Sequence, residues 1–521
     1  MNWTRRDFIA TGTLAAAAVP FLGACKKKEE TVANDKPAAE PVIILPSQIT
    51  LKPSYFERNF GVTPEMIDKV LAKTMSRGGS FGDLFFEHSK AGSVNMLDGK
   101  VNSASASSAL GMGARCVNED QVGYAYCETL TLEDMLKAAD AASAIAPGAA
   151  PIEIKSRHEA DLKRYYGQNI DWDALDVARA VALIQKVDAL ARSKDASIIQ
   201  VTVGLSWHQR VVMINTSDGI HAEDSQPYFT LRLSVVMKRN DEIQSNGSSL
   251  AGKNDFESIT DERIQALVDH VISSTDILFS AVKPKGGEWP VVLGAGASGI
   301  LLHEAIGHGL EADFNRKDRS IFATKLNQKV SSDEVTICDS GLFDNSRGAL
   351  NVDDEGNACQ DTVLVENGIL KSYLHDRISA AHYKVASTGS GRREDYKNYP
   401  VPRMRVTYMK NGTHEKEELF ADIKYGIYCT NFTNGQVLIG PGDYTFYVKN
   451  GFLIEDGKIT APIKDVNIIG NGPDTLSKIT KVANDFELSN VGWTCGKDGQ
   501  SVPVSLGMPS ALVSAITVGG V

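Results

Sequence analysis

Cysteine is scarce in this chain, with seven in 521 residues. Cys25 belongs to an N-terminal motif taken up below. The other six, at 116, 127, 338, 359, 429 and 495, are scattered and do not resemble a disulfide framework. Cys116 and Cys127 flank a turn at Asn118-Glu119-Asp120 that sets Cys116 opposite Gly123, so no bridge is expected between them. Positive charge is short as well: 54 Lys and Arg against 65 Asp and Glu leave a formal charge of −11. That balance argues against a nucleic-acid partner, which calls for a basic surface. No internal repeat of solenoid length is evident. What is present, 42% hydrophobic and 23% charged residues, is the balance of a folded protein long enough for more than one domain.

Residues 1–25 read as an address. Thr4-Arg5-Arg6-Asp7-Phe8-Ile9 precedes an Ala-rich apolar stretch from Phe8 to Leu22, which resembles a twin-arginine export signal. The stretch is too short and too weakly apolar for a good transmembrane helix. It ends in Leu22-Gly23-Ala24-Cys25, similar to a bacterial lipobox, with Cys25 as the lipidated residue. Residues 26–50, opening on Lys26-Lys27-Lys28, then read as a flexible tether. The expected location is the bacterial cell envelope, periplasm-facing, with a lipid anchor as the sole membrane contact.

Residues 51–285 read as one α+β region with subparts at about 64–146 and 172–280, each a helix, antiparallel strands and a helix. In the first, a helix runs from Thr63 to about Arg77, Asp98-Gly99 marks a hairpin, and Thr131 opens a helix to about Ile145. In the second, the pattern predicts a helix from Trp172 to about Arg192, strands over 197–205 and 208–215, a turn at Ser217-Asp218-Gly219, and a helix from Asp261 to Phe279. Residues 286–521 read as β-rich, with Asn367-Gly368, Asn450-Gly451 and Asp456-Gly457 each separating apolar runs.

One stretch carries chemistry. His303-Glu304-Ala305-Ile306-Gly307-His308 lies in an apolar run. Imidazoles ligate zinc, and an adjacent carboxylate can take a proton from an activated water. His-Glu-x-x-His puts its histidines on one helix face. Here the spacing is i and i+5, so on a regular helix the side chains point about 140° apart. Both reach one metal only if the helix loosens or stops between them. Gly307 and Gly309 make a π-bulge or a helix end cheapest there. A catalytic zinc usually has three protein ligands. Candidates for the third are His375, His382, Cys429, Cys495, Glu311 and Asp313, with Cys495 ranked first because it lies in a glycine-rich stretch, Gly492 to Gly499, read as a loop.

The run from His303 to Arg316 resembles the signature of the TldD/PmbA metalloprotease family, in its TldD-type, zinc-bearing form. Val352-Asp353-Asp354-Glu355-Gly356, Gly389-Ser390-Gly391-Arg392-Arg393-Glu394, Tyr425-Gly426-Ile427-Tyr428, Gly435-Gln436-Val437 and Cys495-Gly496-Lys497-Asp498-Gly499-Gln500-Ser501 are similar to segments of that family in the same order. The resemblance implies a C-terminal metalloprotease domain over 286–521 carrying the zinc-site helix. It further implies one zinc held by His303, His308 and Cys495, with Glu304 as general acid/base. The implied substrates are unfolded or flexible polypeptides, and the implied assembly is a homodimer or a heterodimer with a PmbA/TldE-like subunit. Arg392 and Arg393 are candidates for holding substrate carbonyls or a carboxylate, with a structural ion pair as the alternative. Two other functions fit the residues: a lipid-anchored scaffold that grips peptides without cutting them, and a zinc hydrolase of a non-peptide amide. The export signal departs from the family, whose usual members are cytosolic.

Overall fold

The computed structural model describes residues 52–146, 148 and 154–520; the signal, Cys25 and the tether lie outside them. The chain mixes helix and strand and is mostly β. Its N-terminal part is organised by alternation. Val201, Val203 and Leu205, with Leu231, Leu233 and Val235, point to one side of their strands, and Thr202, Gly204, Arg232 and Ser234 to the other. The apolar side packs under the helices Val177–Lys194 and Asp261–Asp276 through Ile184, Val187, Val268 and Val271. A second core forms under Pro64–Thr74 and Leu132–Ser143, where Val70, Leu71 and Met135 meet Leu84 and Phe86.

The two subparts share one seven-stranded sheet, because Phe81–Leu97 pairs antiparallel with Ile198–Thr216. Cys116 faces Gly123 across the hairpin, and Cys116 and Cys127 are both free. Two local readings change. Residues 198–216 form one unbroken strand rather than two. The long helix starts at Val177, not Trp172, because the Asp176 side chain caps it by accepting from the Ala178 N–H. Trp172 instead sits in the core, its indole N–H donating to the Asn254 carbonyl.

In the C-terminal part, Gly287–Leu293, Tyr425–Leu438, Asp443–Glu455, Val466–Asn471 and Ala511–Gly520 pair in a closed circuit, a small barrel. A second sheet contains Ile337–Ser340, Asp361–Glu366, Val406–Met409 and Gln500–Met508. The segment from Gly299 to Asn315 shares a core with both: Ile300, Leu301, Ile306 and Leu310 pack with Val291, Phe446, Ile337 and Leu506. Asn367-Gly368 and Asp456-Gly457 turn as expected, with positive φ at both residues of each pair. Asn450-Gly451 does not turn. It lies inside Asp443–Glu455, where the buried Asn450 amide donates to the Ser274 carbonyl at 2.7 Å.

Buried charge connects the two parts. Arg115 pairs with Asp83 on the neighbouring strand and with Glu355 at 2.8 Å, all three fully buried. Arg393 reaches the same Asp83 at 3.3 Å.

Candidate metal centre

Gly299–Leu302 begins as an α-helix, and His303–Gly307 continues as a single π-helical turn. The wider turn absorbs the extra residue of the i, i+5 spacing and brings His308 round to the side of His303. Their rings meet edge-on, centroids 5.0 Å apart. His308–Leu310 then tightens to a 3-10 turn and leads into Ala312–Asn315. Glycine at 307 makes room for Met404, whose sulfur would lie 2.1 Å from a Cβ there and would have to move. The end of the motif is pinned by Asn315, whose amide donates to the Gly309 and Glu311 carbonyls at 2.9 and 3.0 Å.

Cys495 comes from the other side, and not from a loop. It lies in the strand Trp493–Lys497, which folds back on Gln500–Met508 through a turn at Asp498-Gly499. It is packed as a core residue, 3% exposed. No atom lies within 4 Å of a Cβ built at Gly496, so close packing does not require glycine there. What the glycine-rich stretch signals is the hairpin turn.

One donor atom from each of His303, His308 and Cys495 lies within 4.8 Å of the other two, and all three residues are buried. His308 Nε2 is 3.5 Å from the Cys495 sulfur, while its Nδ1 is 3.0 Å from Glu311 Oε2. Glu311 therefore stands behind a histidine rather than beside a metal. It is fully buried; burial opposes its ionisation, but Lys497, His308 and Arg403 outweigh that and hold its carboxyl at about 2. Burial likewise opposes a Cys495 thiolate, and the two imidazoles outweigh it, holding the thiol at about 4. Glu304 is half-buried, and burial raises its pKa against the partial relief of both histidines.

The donor set fits zinc on this structure's own terms. His303 Nδ1 is buried with no hydrogen-bond partner. Two imidazoles and a thiolate form a set of the borderline-soft kind zinc takes, and three protein ligands leave a position open. The remaining candidates stand elsewhere. Asp313 is bonded to Lys497 at 2.7 Å, His375 and His382 pack against Tyr383, and Cys429 is sealed in the barrel core.

Arg392 and Arg393 are buried and already engaged. Arg392 donates to the Met404 and Pro503 carbonyls at 2.6 and 2.8 Å. Arg393 pairs with Asp83 and donates to the Asp354 carbonyl at 2.9 Å. Arg393 thus makes a buried ion pair, and Arg392 bonds to main-chain carbonyls. Sequence reasoning did not pick out Lys497 or Arg403. The signal for Lys497 was its place two residues after Cys495, which on a strand puts both side chains on one face.

Three family models match in order: the PmbA/TldA metallopeptidase domain 1 over residues 82–146, the central domain over 170–276 and the C-terminal domain over 286–520. The chain is 37% identical over 454 residues to the metalloprotease TldD homolog of Haemophilus influenzae, covering 84% of this chain and 93% of that protein. It is 35% identical over 447 residues to the metalloprotease TldD homolog of Buchnera aphidicola, covering 84% and 92%. A zinc metalloprotease TldD homolog of Saccharolobus solfataricus matches at 37% over 238 residues, 46% of this chain and 53% of that protein. The crystal structure of TldE from Thermococcus kodakarensis shares the fold, with a TM-score of 0.69 at 18% identity over 87% of this chain and all of that one. The chain belongs to the PmbA/TldD metallopeptidase family, and its relatives at 35% and 37% identity are of the TldD type.

Proposed function

We propose that this protein hydrolyses peptide bonds in unfolded or flexible polypeptides, at one zinc per chain held by His303, His308 and Cys495. The observation that carries the proposal is the meeting of these three buried donors across the 187 residues that separate His308 from Cys495. When bound, zinc supplies Lewis acidity, polarising a carbonyl and acidifying water, less strongly with a thiolate ligand than with three imidazoles. Glu304 follows His303 directly and is half-buried beside the donors. It takes the proton of the attacking water and passes it to the departing peptide nitrogen. Its burial raises its pKa, which suits a group that must both accept and return a proton.

An extended substrate is supported by an open sheet edge. Tyr425–Leu438 pairs with Gly287–Leu293 only through Ile427 to Cys429. Among the described residues, no strand is paired on that side from Thr430 to Leu438. That stretch carries no charge and no proline, although its register is irregular between Cys429 and Asn434. Phe432 on it shares a core with Ala305 and Ile306 of the metal-site turn. A peptide added there is gripped through its main chain and read with little sequence preference. Export by the twin-arginine route, lipidation of Cys25, and assembly as a homodimer or with a PmbA/TldE-like subunit belong to the same proposal.

The test is zinc content and cleavage of an unfolded protein by wild type, Cys495→Ser, His308→Ala and Glu304→Gln. Wild type is expected to hold one zinc per chain, and the two ligand variants to lose both metal and activity. Glu304→Gln is expected to keep zinc and lose at least about 10²-fold in rate. Full zinc retention in Cys495→Ser would remove the third ligand. Zinc-loaded wild type that cleaves no unfolded protein under any pairing would favour the scaffold reading.

A further inference from the structure

The two ligand-bearing elements, the π turn and the Cys495 hairpin, are joined by a buried ionic bracket. Lys497 ends the strand that holds Cys495 and is 7% exposed. Its ammonium donates to Asp313 Oδ1 at 2.7 Å and the Pro402 carbonyl at 3.0 Å, and it lies 3.3 Å from Glu311 Oε2. Those three contacts match the three hydrogens of an ammonium. The same Glu311 oxygen is 3.0 Å from His308 Nδ1. Arg403 completes the bracket, donating to the Cys495 carbonyl at 2.6 Å and to the Gln500 carbonyl at 3.3 Å. One side chain therefore runs from the Cys495 strand to the carboxylate that orients His308.

We propose that Lys497 is a positioning residue for the metal: by fixing Glu311 it holds His308 with Nδ1 protonated and Nε2 turned toward Cys495, before any ion arrives. The inference rests on the zinc reading above. Burying Glu311, Asp313, Lys497 and Arg403 together is costly, and buried ion groups are a weak source of stability. Their place between the two ligands gives the cost a function: a carboxylate on the far nitrogen fixes the tautomer and orientation of a ligating histidine. Lys497 in turn keeps that carboxylate from rotating to a lone partner. Distance in sequence makes the bracket necessary, because no local backbone geometry relates residue 308 to residue 495.

The experiment measures zinc affinity by competition with a chelator, and the absorption of the cobalt-substituted protein, in wild type, Glu311→Gln, Lys497→Met and the double variant. The melting temperature of each metal-free protein is read alongside. Glu311→Gln and Lys497→Met are each expected to weaken zinc binding by about 10- to 100-fold. The double variant is expected to lose no more than the worse single one, as for two residues acting through one contact. The thiolate-to-cobalt band should persist, since Cys495 is untouched. A purely structural lysine would lower the melting temperature and leave the affinity of the folded protein unchanged, which would overturn the proposal. Additive losses would overturn it too. If Lys497→Met does not fold, the near-isosteric Glu311→Gln decides alone: wild-type zinc affinity in it would overturn the bracket. A wild type that binds no zinc would instead sink the reading on which this rests.

Discussion

At the scale of single residues, neighbouring donors rather than burial separate the histidines that can ligate from those that only pack. His375 has a Nδ1 buried without a partner, as His303 does, but it lies against Tyr373 and Tyr383 and belongs to no cluster of three donors among the described residues. Burial lowers its pKa to about 4. The folded protein therefore keeps it neutral while the unfolded chain takes up a proton near 6.5. Its contribution to stability is complete above pH 6.5 and is lost as pH falls from there to about 4. His375→Phe should flatten the melting temperature across that window, recovering at most about 3 kcal/mol at its acid end. Thermal melts of both proteins at pH 4.5 and 7.5 check this; parallel curves would remove His375 as a source of acid lability. Of the residues named from sequence, the motif histidines were legible through their unusual spacing, whereas Cys495 was ranked for a loop setting that is in fact a buried strand. The bracket of Glu311, Lys497 and Arg403 was not legible, because charged residues in sequence look alike whether they end up in water or sealed beside a ligand.

Among elements, the π turn is the unit that matters most, and its neighbours are cut to fit it. Gly472 opens the short helix Gly472–Ser477, and a Cβ there would lie 2.0 Å from the Ala305 carbonyl oxygen inside the π turn. That contact is with backbone, so it cannot be relieved by a side-chain rotation. Gly472→Ala should cost about 1–3 kcal/mol and weaken zinc binding by displacing the turn between the two histidines. Melting and metal content measured together check both parts; an unchanged turn would leave zinc content intact. The i, i+5 spacing made a loosened helix readable in advance, since two donors 140° apart cannot share an ion. The hairpin pairs Asp98-Gly99 and Asp456-Gly457 were readable for an equally local reason, positive φ at both positions. Asn450-Gly451 has the same letters and no turn. Its asparagine side chain is claimed by Asn246 and the Ser274 carbonyl, partners about 200 residues away that no local pattern contains.

For the whole molecule, the mixed helix-and-strand class and the helix–strands–helix order of each N-terminal subpart were readable from sequence. The joining of the two N-terminal subparts into one sheet, and the closing of the barrel, depend on which edges meet. That is a long-range property, invisible to a repeat of two or 3.6 residues. Residues 1–25 belong to this scale too, as the proposed route to the envelope. Cys25→Ser should leave the folded enzyme and its zinc unchanged while moving it from the membrane to the soluble fraction. Fractionation of cells expressing each form tests this, and retention of the variant in membranes would discard the lipid anchor.

The salt-bridged knot of Asp83, Arg115, Glu355 and Arg393 draws on three stretches of chain that fall in two different family domains. Separating those domains would leave two carboxylates on different fragments, each facing a guanidinium it could no longer reach. Dividing the chain at the modular boundaries visible in the sequence is therefore expected to strand buried charge on both fragments. The sheet and the domain that carries the candidate metal centre share one set of compensating charges.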